Sequence, residues 1–215
     1  MDYVDQYNRA TQAKRQPCSV FNPFIYTAVI DNNYPVTTQL LNQPVALYRN
    51  NAKGEKEKWT PRNYDNSTGG LTTLREGLRR SLNLISVRMV QELVPAQQVK
   101  NVAKRMQIKS PIRAFDSIAL GVSEVTPMEI VASYSIKIIT DIFVSLGCTS
   151  SVSLGVAEHL TDASLCGMES HGIMRAIQYA EQLNSGYIKP KAKTKVFIDS
   201  KGTKKVSGGG GIGIP

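Results

Sequence analysis

Two places in this chain spell Thr-x-x-Glu ahead of an apolar run: Thr73-Leu-Arg-Glu76 and Thr126-Pro-Met-Glu129. That spacing lets the threonine oxygen accept from the amide three residues on while the glutamate reaches back, so each site fixes where a helix can begin. After the first, Leu74, Leu78 and Leu82 are followed by Val87, Val90 and Leu93. Pro95 then opens a further run in which Val99, Val102, Ala103 and Met106 recur every three or four residues. The spacing predicts helix over residues 71–106. After the second, Pro127 stands at a first helical position, where its missing N–H costs nothing, and the helix is expected to run toward Leu146 and stop at Gly147.

Upstream, Phe24, Ile25, Ala28 and Val29 predict a helix over 22–30, with Pro23 tolerated in its first turn and Ser19 at its entrance. Residues 31–70 carry Pro35, Pro44, Pro61, many asparagines and Gly69-Gly70, and so read as loops with short extended pieces, anchored by Trp59. Downstream, residues 152–160 form another expected helix, and Ile173, Ile177, Ala180 and Leu183 line one face of the next, stopped by Gly186. Val196-Phe-Ile198 alternates into Asp-Ser-Lys-Gly202 as a hairpin would. The expected fold class is α+β, a mostly helical part followed by a small helical segment with a short β-hairpin.

Side-chain inventory narrows the chemistry. Cys18, Cys148 and Cys166 are odd in number and widely spaced, which offers neither a disulfide framework nor a metal-binding pair and suits a thiol-reducing compartment. His159 and His171 are the only histidines, without a His-Glu-x-x-His pattern, so no metal is expected. The most apolar stretch, residues 130–146, is interrupted by Lys137 and Asp141 and reads as a buried helix, not a membrane segment. The start, Met1-Asp-Tyr-Val-Asp, lacks the basic flank and apolar stretch of an export signal, so a cytoplasmic location is expected for the chain as written. The formal charge is +9, but Lys189, Lys191, Lys193, Lys195, Lys201, Lys204 and Lys205 cluster around the hairpin with few aromatics between them. A solvated face is expected there, with no nucleic-acid partner.

The stretch Arg9-Ala-Thr-Gln-Ala-Lys-Arg-Gln-Pro-Cys-Ser19-Val-Phe-Asn-Pro-Phe24 resembles the nucleophile region of the transpeptidase domain of bifunctional, class A penicillin-binding proteins. The likeness continues through Trp59-Thr-Pro-Arg-Asn-Tyr-Asp65, Thr73-Leu-Arg-Glu76, Arg80-Ser-Leu-Asn83, Ala103-Lys-Arg-Met106 and Ser117 to Glu129, in the family's order. The resemblance implies serine acyl transfer in cell-wall cross-linking, on a peptidoglycan peptide or a β-lactam, with no cofactor. It places Ser19 as the nucleophile and Ser81 and Asn83 in the Ser-x-Asn motif. Such chemistry also needs a lysine one turn after the serine and a Lys-Thr-Gly strand facing both. Asn22 stands at the lysine position, Cys18 replaces the glycine before the nucleophile, and Lys201-Gly-Thr203 reverses the order of the third motif.

From about Ile136 the likeness changes. Ala163-Ser-Leu-Cys-Gly-Met-Glu-Ser-His-Gly-Ile-Met-Arg175, then Tyr179, Leu183-Asn-Ser-Gly186 and Ile188-Lys-Pro190, resemble the N-terminal part of the malate/L-lactate dehydrogenase family. This implies NAD or NADP as cofactor and a 2-hydroxy or 2-oxo acid as substrate. Ser170 and His171 would belong to the proton relay, and Arg175 would clamp the substrate carboxylate. Spacing alone also allows Ser170 to be the N-cap of a helix over 171–184, with His171 and Arg175 one turn apart on an exposed face. Gly208-x-Gly210-x-x-Gly213 is not expected to serve as a dinucleotide loop, because only Ile214 and Pro215 follow where a helix should open. The sequence is thus expected to join residues 1–135, a partial transpeptidase domain, to residues 136–215, a dehydrogenase fragment, with both sites incomplete and the chain inactive.

Overall fold

The computed structural model describes residues 7–50, 56–198, 202 and 204–213. The chain divides into two compact units, Met1–Ile130 and Val131–Pro215.

In the first unit a 3-10 turn, Cys18–Phe21, runs directly into helix α1, Asn22–Asp31. Phe21, Phe24, Ile25, Ala28 and Val29 of this run are buried, and the Phe21 and Phe24 rings stack with centroids 4.7 Å apart. Strand β1, Gln39–Leu41, pairs antiparallel with β4, Leu71–Thr73, while β2, Leu47–Asn50, pairs with β3, Lys56–Trp59. In the second ladder half-buried Trp59 lies opposite Leu47. The loop-and-short-strand reading of 31–70 therefore holds, but residues 71–73, expected as helix, are strand. Three residues of pairing to β1 take the backbone up to Thr73, and only there does the cap release it into α2, Leu74–Arg79.

The first capping box is half made. Thr73 Oγ1 accepts from Glu76 N–H at 3.2 Å, but the Glu76 carboxylate turns to Arg79, at 2.6 and 2.7 Å, and not back to Thr73. Helix α3, Asn83–Arg88, widens into a π-helical turn at Met89–Leu93, and α4, Ala96–Arg105, packs on α1. Leu74, Leu84, Ile85, Met89, Val99 and Ile118 complete the core with the buried face of α1.

The second capping box is complete: Glu129 N–H donates to Thr126 Oγ1 at 3.2 Å, and Thr126 N–H donates to Glu129 Oε2 at 2.9 Å. Helix α5, Pro127–Ser145, follows, and Gly147 with φ +89 lets Cys148 N–H close back on Phe143 O at 3.0 Å.

In the second unit helix α6, Ser150–Leu165, is capped by Thr149, whose Oγ1 accepts from Val152 N–H. Helix α7, Arg175–Asn184, comes next, and strands β5, Lys195–Ile198, and β6, Lys204–Ser207, form a hairpin. Its core gathers Ile136, Ile139, Phe143, Val156, Ala157, Leu160, Leu183 and Ile188. Lys189, Lys191, Lys193, Lys195, Lys204 and Lys205 are exposed; Lys201 and Thr203 lie outside the described residues. No helix among the described residues is long and apolar enough to cross a membrane.

Candidate active site

Ser19 lies in the 3-10 turn, exposed, three residues before α1 begins. It is not a helix cap: the N-cap of α1 is Phe21, which has no capping side chain, because the 3-10 turn feeds the helix from already helical backbone. Asn22, at the first position of α1, is 5% exposed. Its Nδ2 approaches Ser81 Oγ at 3.5 Å, and its Oδ1 accepts from Ser86 Oγ at 3.3 Å. One buried amide thus joins the start of α1 to the Ser81-x-Asn83 loop and to α3.

Ser81 takes a left-handed backbone, φ +54, an uncommon choice for a residue other than glycine. Asn83 donates from Nδ2 to Arg62 O at 2.9 Å, and the next amide, Leu84 N–H, donates to Asn63 Oδ1 at 3.1 Å. Asn63 in turn donates to Asn42 Oδ1 at 2.9 Å and to Ser67 O at 2.8 Å. Asn42 and Asn63 were not among the expected site residues. Their one sequence signal is the place of Asn63 in Trp59-Thr-Pro-Arg-Asn-Tyr-Asp65.

Beneath Ser19 the turn is held by Gly121. Cys18 N–H donates to Gly121 O at 3.3 Å, and Cys18 itself has φ +50. A β-carbon in that conformation crowds the backbone and costs about 1–2 kcal/mol, which glycine avoids. Cys18→Gly is therefore expected to stabilise the first unit by about 0.5–1 kcal/mol, net of the greater freedom of the unfolded glycine. An unchanged or lower urea midpoint, followed through Trp59 fluorescence, would show that the turn carries no such strain.

In the second unit Ser170 and His171 lie in a 3-10 turn, Glu169–His171, and Ser170 Oγ is 2.9 Å from His171 Nδ1. The alternative of Ser170 as cap of a helix over 171–184 does not hold. Gly172 has extended backbone, α7 opens only at Arg175, and its N-cap is Met174. Arg175 Nε donates to Ser170 O at 2.8 Å, and its Nη1 donates to Gln178 Oε1. The three expected residues are thus together, with much of the guanidinium fork already used on protein groups.

The glycine-rich segment is spent on packing. Gly209 has φ +62, and a β-carbon there would lie 2.8 Å from Lys193 O. Lys189 N–H donates to Gly210 O at 2.8 Å, and Gly211 N–H to Gly208 O at 3.0 Å. These amides and carbonyls close a turn against residues 189–193, and residues 208–213 form no helix whose N-terminus could receive a pyrophosphate. The segment does not fit a nicotinamide dinucleotide. Among the described residues no group of three or more His, Cys, Asp or Glu side chains could hold a metal ion.

A serine in the turn before a buried helix, faced across that helix's first residue by a Ser-x-Asn loop, defines the first unit as a serine transpeptidase-type fold. Residues 2–136 match the family of the penicillin binding protein transpeptidase domain, and the chain belongs to it. Penicillin-binding protein 1A of Neisseria flavescens is 36% identical over 130 residues, covering 60% of this chain and 16% of that protein. The protein of the same name from Pseudomonas aeruginosa is likewise 36% identical, with the same coverage. The chain therefore spans about a sixth of the length of these relatives. The crystal structure of penicillin-binding protein 1A from Haemophilus influenzae superposes with a TM-score of 0.54 at 29% identity, covering 60% of this chain and 19% of that one. The penicillin-binding protein PonA1 from Mycobacterium tuberculosis shares the fold, with a TM-score of 0.52 at 20% identity, covering 63% of this chain and 36% of that one. Residues 132–215 match the malate/L-lactate dehydrogenase family.

Proposed function

We propose that the chain is a fusion of two enzyme pieces that catalyses neither parent reaction. Residues 1–135 descend from a peptidoglycan D,D-transpeptidase, with Ser19 at the nucleophile position and Ser81 and Asn83 in the Ser-x-Asn motif. Residues 136–215 descend from an NAD(P)-dependent 2-hydroxyacid dehydrogenase.

The observation that carries this reading is Asn22. In serine acyl transfer the hydroxyl proton must pass to a base as the oxygen attacks the carbonyl carbon, and a nearby cation favours the developing negative charge. A carboxamide has no basicity near pH 7 and no charge. Here it is also buried and directed at Ser81 and Ser86, so it holds the architecture of the site without supplying its proton chemistry. A peptidoglycan peptide or β-lactam reaching Ser19 would meet an unactivated hydroxyl.

Incubating the purified chain with a fluorescent penicillin, beside its Ser19→Ala variant, tests this directly. The expected result is equal background in both lanes of a denaturing gel. A covalent band lost in Ser19→Ala would overturn the inactive reading and identify a penicillin-binding protein that works without the lysine.

The dehydrogenase piece is the alternative seat of activity, favoured by the 2.9 Å contact of Ser170 with His171 and by Arg175 beside them. An imidazole so placed can pass a proton, and a guanidinium can hold the carboxylate of a 2-hydroxy or 2-oxo acid. The glycine-rich turn offers no seat for the nicotinamide cofactor that would take the hydride.

A further inference from the structure

Helix α3 begins in the middle of the Ser-x-Asn loop and has no cap of its own. Its N-cap residue is Leu82, whose side chain accepts nothing, yet the helix start is buried, with Leu84 1% exposed. The first amides of a helix have no intrahelical acceptor, and burying one unpaired is costly. Leu84 N–H finds its acceptor 21 residues away, in Asn63 Oδ1 at 3.1 Å.

Asn63 is 4% exposed and its other end is also fixed, by donation to Asn42 Oδ1 and Ser67 O. Asn42 follows the last residue of β1, and its own backbone is tied to the two residues just before β4: its N–H donates to Gly70 O at 3.1 Å and its carbonyl accepts from Gly69 N–H at 2.7 Å. Immediately before Asn63, Arg62 O receives the Asn83 side chain at 2.9 Å. Two consecutive residues thus grip Asn83 of the motif and Leu84 directly after it, one by its carbonyl and one by its side chain, and the grip is anchored beside the β1–β4 ladder.

We infer that Asn63, braced by Asn42, is the positioning residue of the Ser81–Asn83 loop: it caps α3 from a distance and so sets where Ser81 and Asn83 stand. A loop that holds Ser81 at φ +54 needs such an outside constraint, because local sequence alone relaxes toward ordinary backbone. The inference rests on reading residues 1–135 as a transpeptidase piece, since only then is the loop a site.

Residue-resolved amide exchange of the full chain tests it. With no intrahelical acceptor, Leu84 N–H owes its protection to Asn63. Asn63→Leu is expected to speed Leu84 exchange about 10-fold, the equivalent of one lost hydrogen bond, with Val102 in α4 changed less than about two-fold. Asn63→Asp keeps an acceptor oxygen for Leu84 N–H but can no longer donate to Asn42 Oδ1 or Ser67 O, so it too removes the brace and is expected to fall between the native chain and Asn63→Leu. Asn42→Leu removes only the brace and is expected to fall between. Equal acceleration at Leu84 and Val102 in Asn63→Leu would show a merely structural role and overturn the inference, as would an unchanged Leu84. If Asn63→Leu does not fold, Asn42→Leu and Asn63→Asp decide: Leu84 exchanging as in the native chain in both refutes the brace. Penicillin labelling of Ser19 would overturn the inactive reading and leave this grip intact; uniform exchange would do the reverse.

Discussion

Gly121→Ala is expected to lower the stability of the first unit by about 2–5 kcal/mol, a large fraction of what a marginal domain has. Two costs add. Gly121 has φ +61, a conformation that charges any residue with a β-carbon roughly 1–2 kcal/mol. The added carbon would also lie 2.4 Å from Cys18 O, 2.9 Å from Cys18 N and 2.8 Å from Phe21 Cβ. These neighbours are backbone and the root of a buried ring, so they cannot swing aside as the end of a long side chain would, and overpacking of this kind typically costs a further 1–3 kcal/mol or so. The atoms that must move belong to the turn carrying Ser19. The substitution therefore attacks the nucleophile position through the backbone while touching no side chain of the site.

Trp59 is the sole tryptophan and lies in the first unit, so its fluorescence reports that unit's melting. A shift of roughly 10 °C or more downward is expected from a loss of this size. Retention of the original midpoint in Gly121→Ala would mean that the Cys18 turn yields freely, and the strain assigned to Cys18 would fall with it.

That glycine illustrates what sequence could and could not reveal. Glycine marks the end of Ala119-Leu-Gly121, but nothing local says that its missing side chain makes room for a turn a hundred residues earlier. The helices were legible because their determinants are local: Thr73 and Thr126 cap, Pro23 and Pro127 start, and apolar residues recur at helical spacing. The α+β class followed, and so did both family likenesses. Where a distant partner decides, local signals failed. Leu71–Thr73 is strand because β1 pairs with it, and Glu76 leaves its capping role because Arg79 outcompetes the Thr73 amide. Ser170 has the composition of a cap and is none, because Gly172 interposes extended backbone before α7. The candidate residues Ser19, Ser81, Asn83, Ser170, His171 and Arg175 could be named from motif order. The Asn42–Asn63 support behind two of them could not, since its hydrogen bonds cross 21 residues each.

Glu129 is a residue through which acid is expected to destabilise the first unit. Its partial burial pushes its pKa upward, but donors from Thr126 N–H, the Ser110 hydroxyl, Ser110 N–H and Lys109 N–H outweigh that and hold it below the ordinary glutamate range. The distances, 2.9, 2.8, 2.7 and 3.0 Å, are those of charge-assisted bonds. The carboxylate thus ties the loop at residues 109–110 to the cap of α5, and Glu129 N–H completes the box on Thr126 Oγ1. A carboxyl whose pKa falls on folding contributes stability that is fully present above its unfolded value and is lost as pH drops through its folded value. Glu129→Gln keeps the shape but replaces one accepting oxygen with a donor that faces other donors. At pH 7 the variant is expected to be less stable by about 2 kcal/mol, allowing for screening at this half-exposed site. As pH falls from the ordinary glutamate range through the lowered folded value the native side chain becomes protonated, and the gap between the two proteins should narrow and then close. Urea midpoints of both, read from Trp59 between pH 7 and pH 3, give the difference directly. A gap that persists unchanged to pH 3 would show that Glu129 acts by shape alone, and a gap absent at pH 7 would show that its donors are satisfied as well by water.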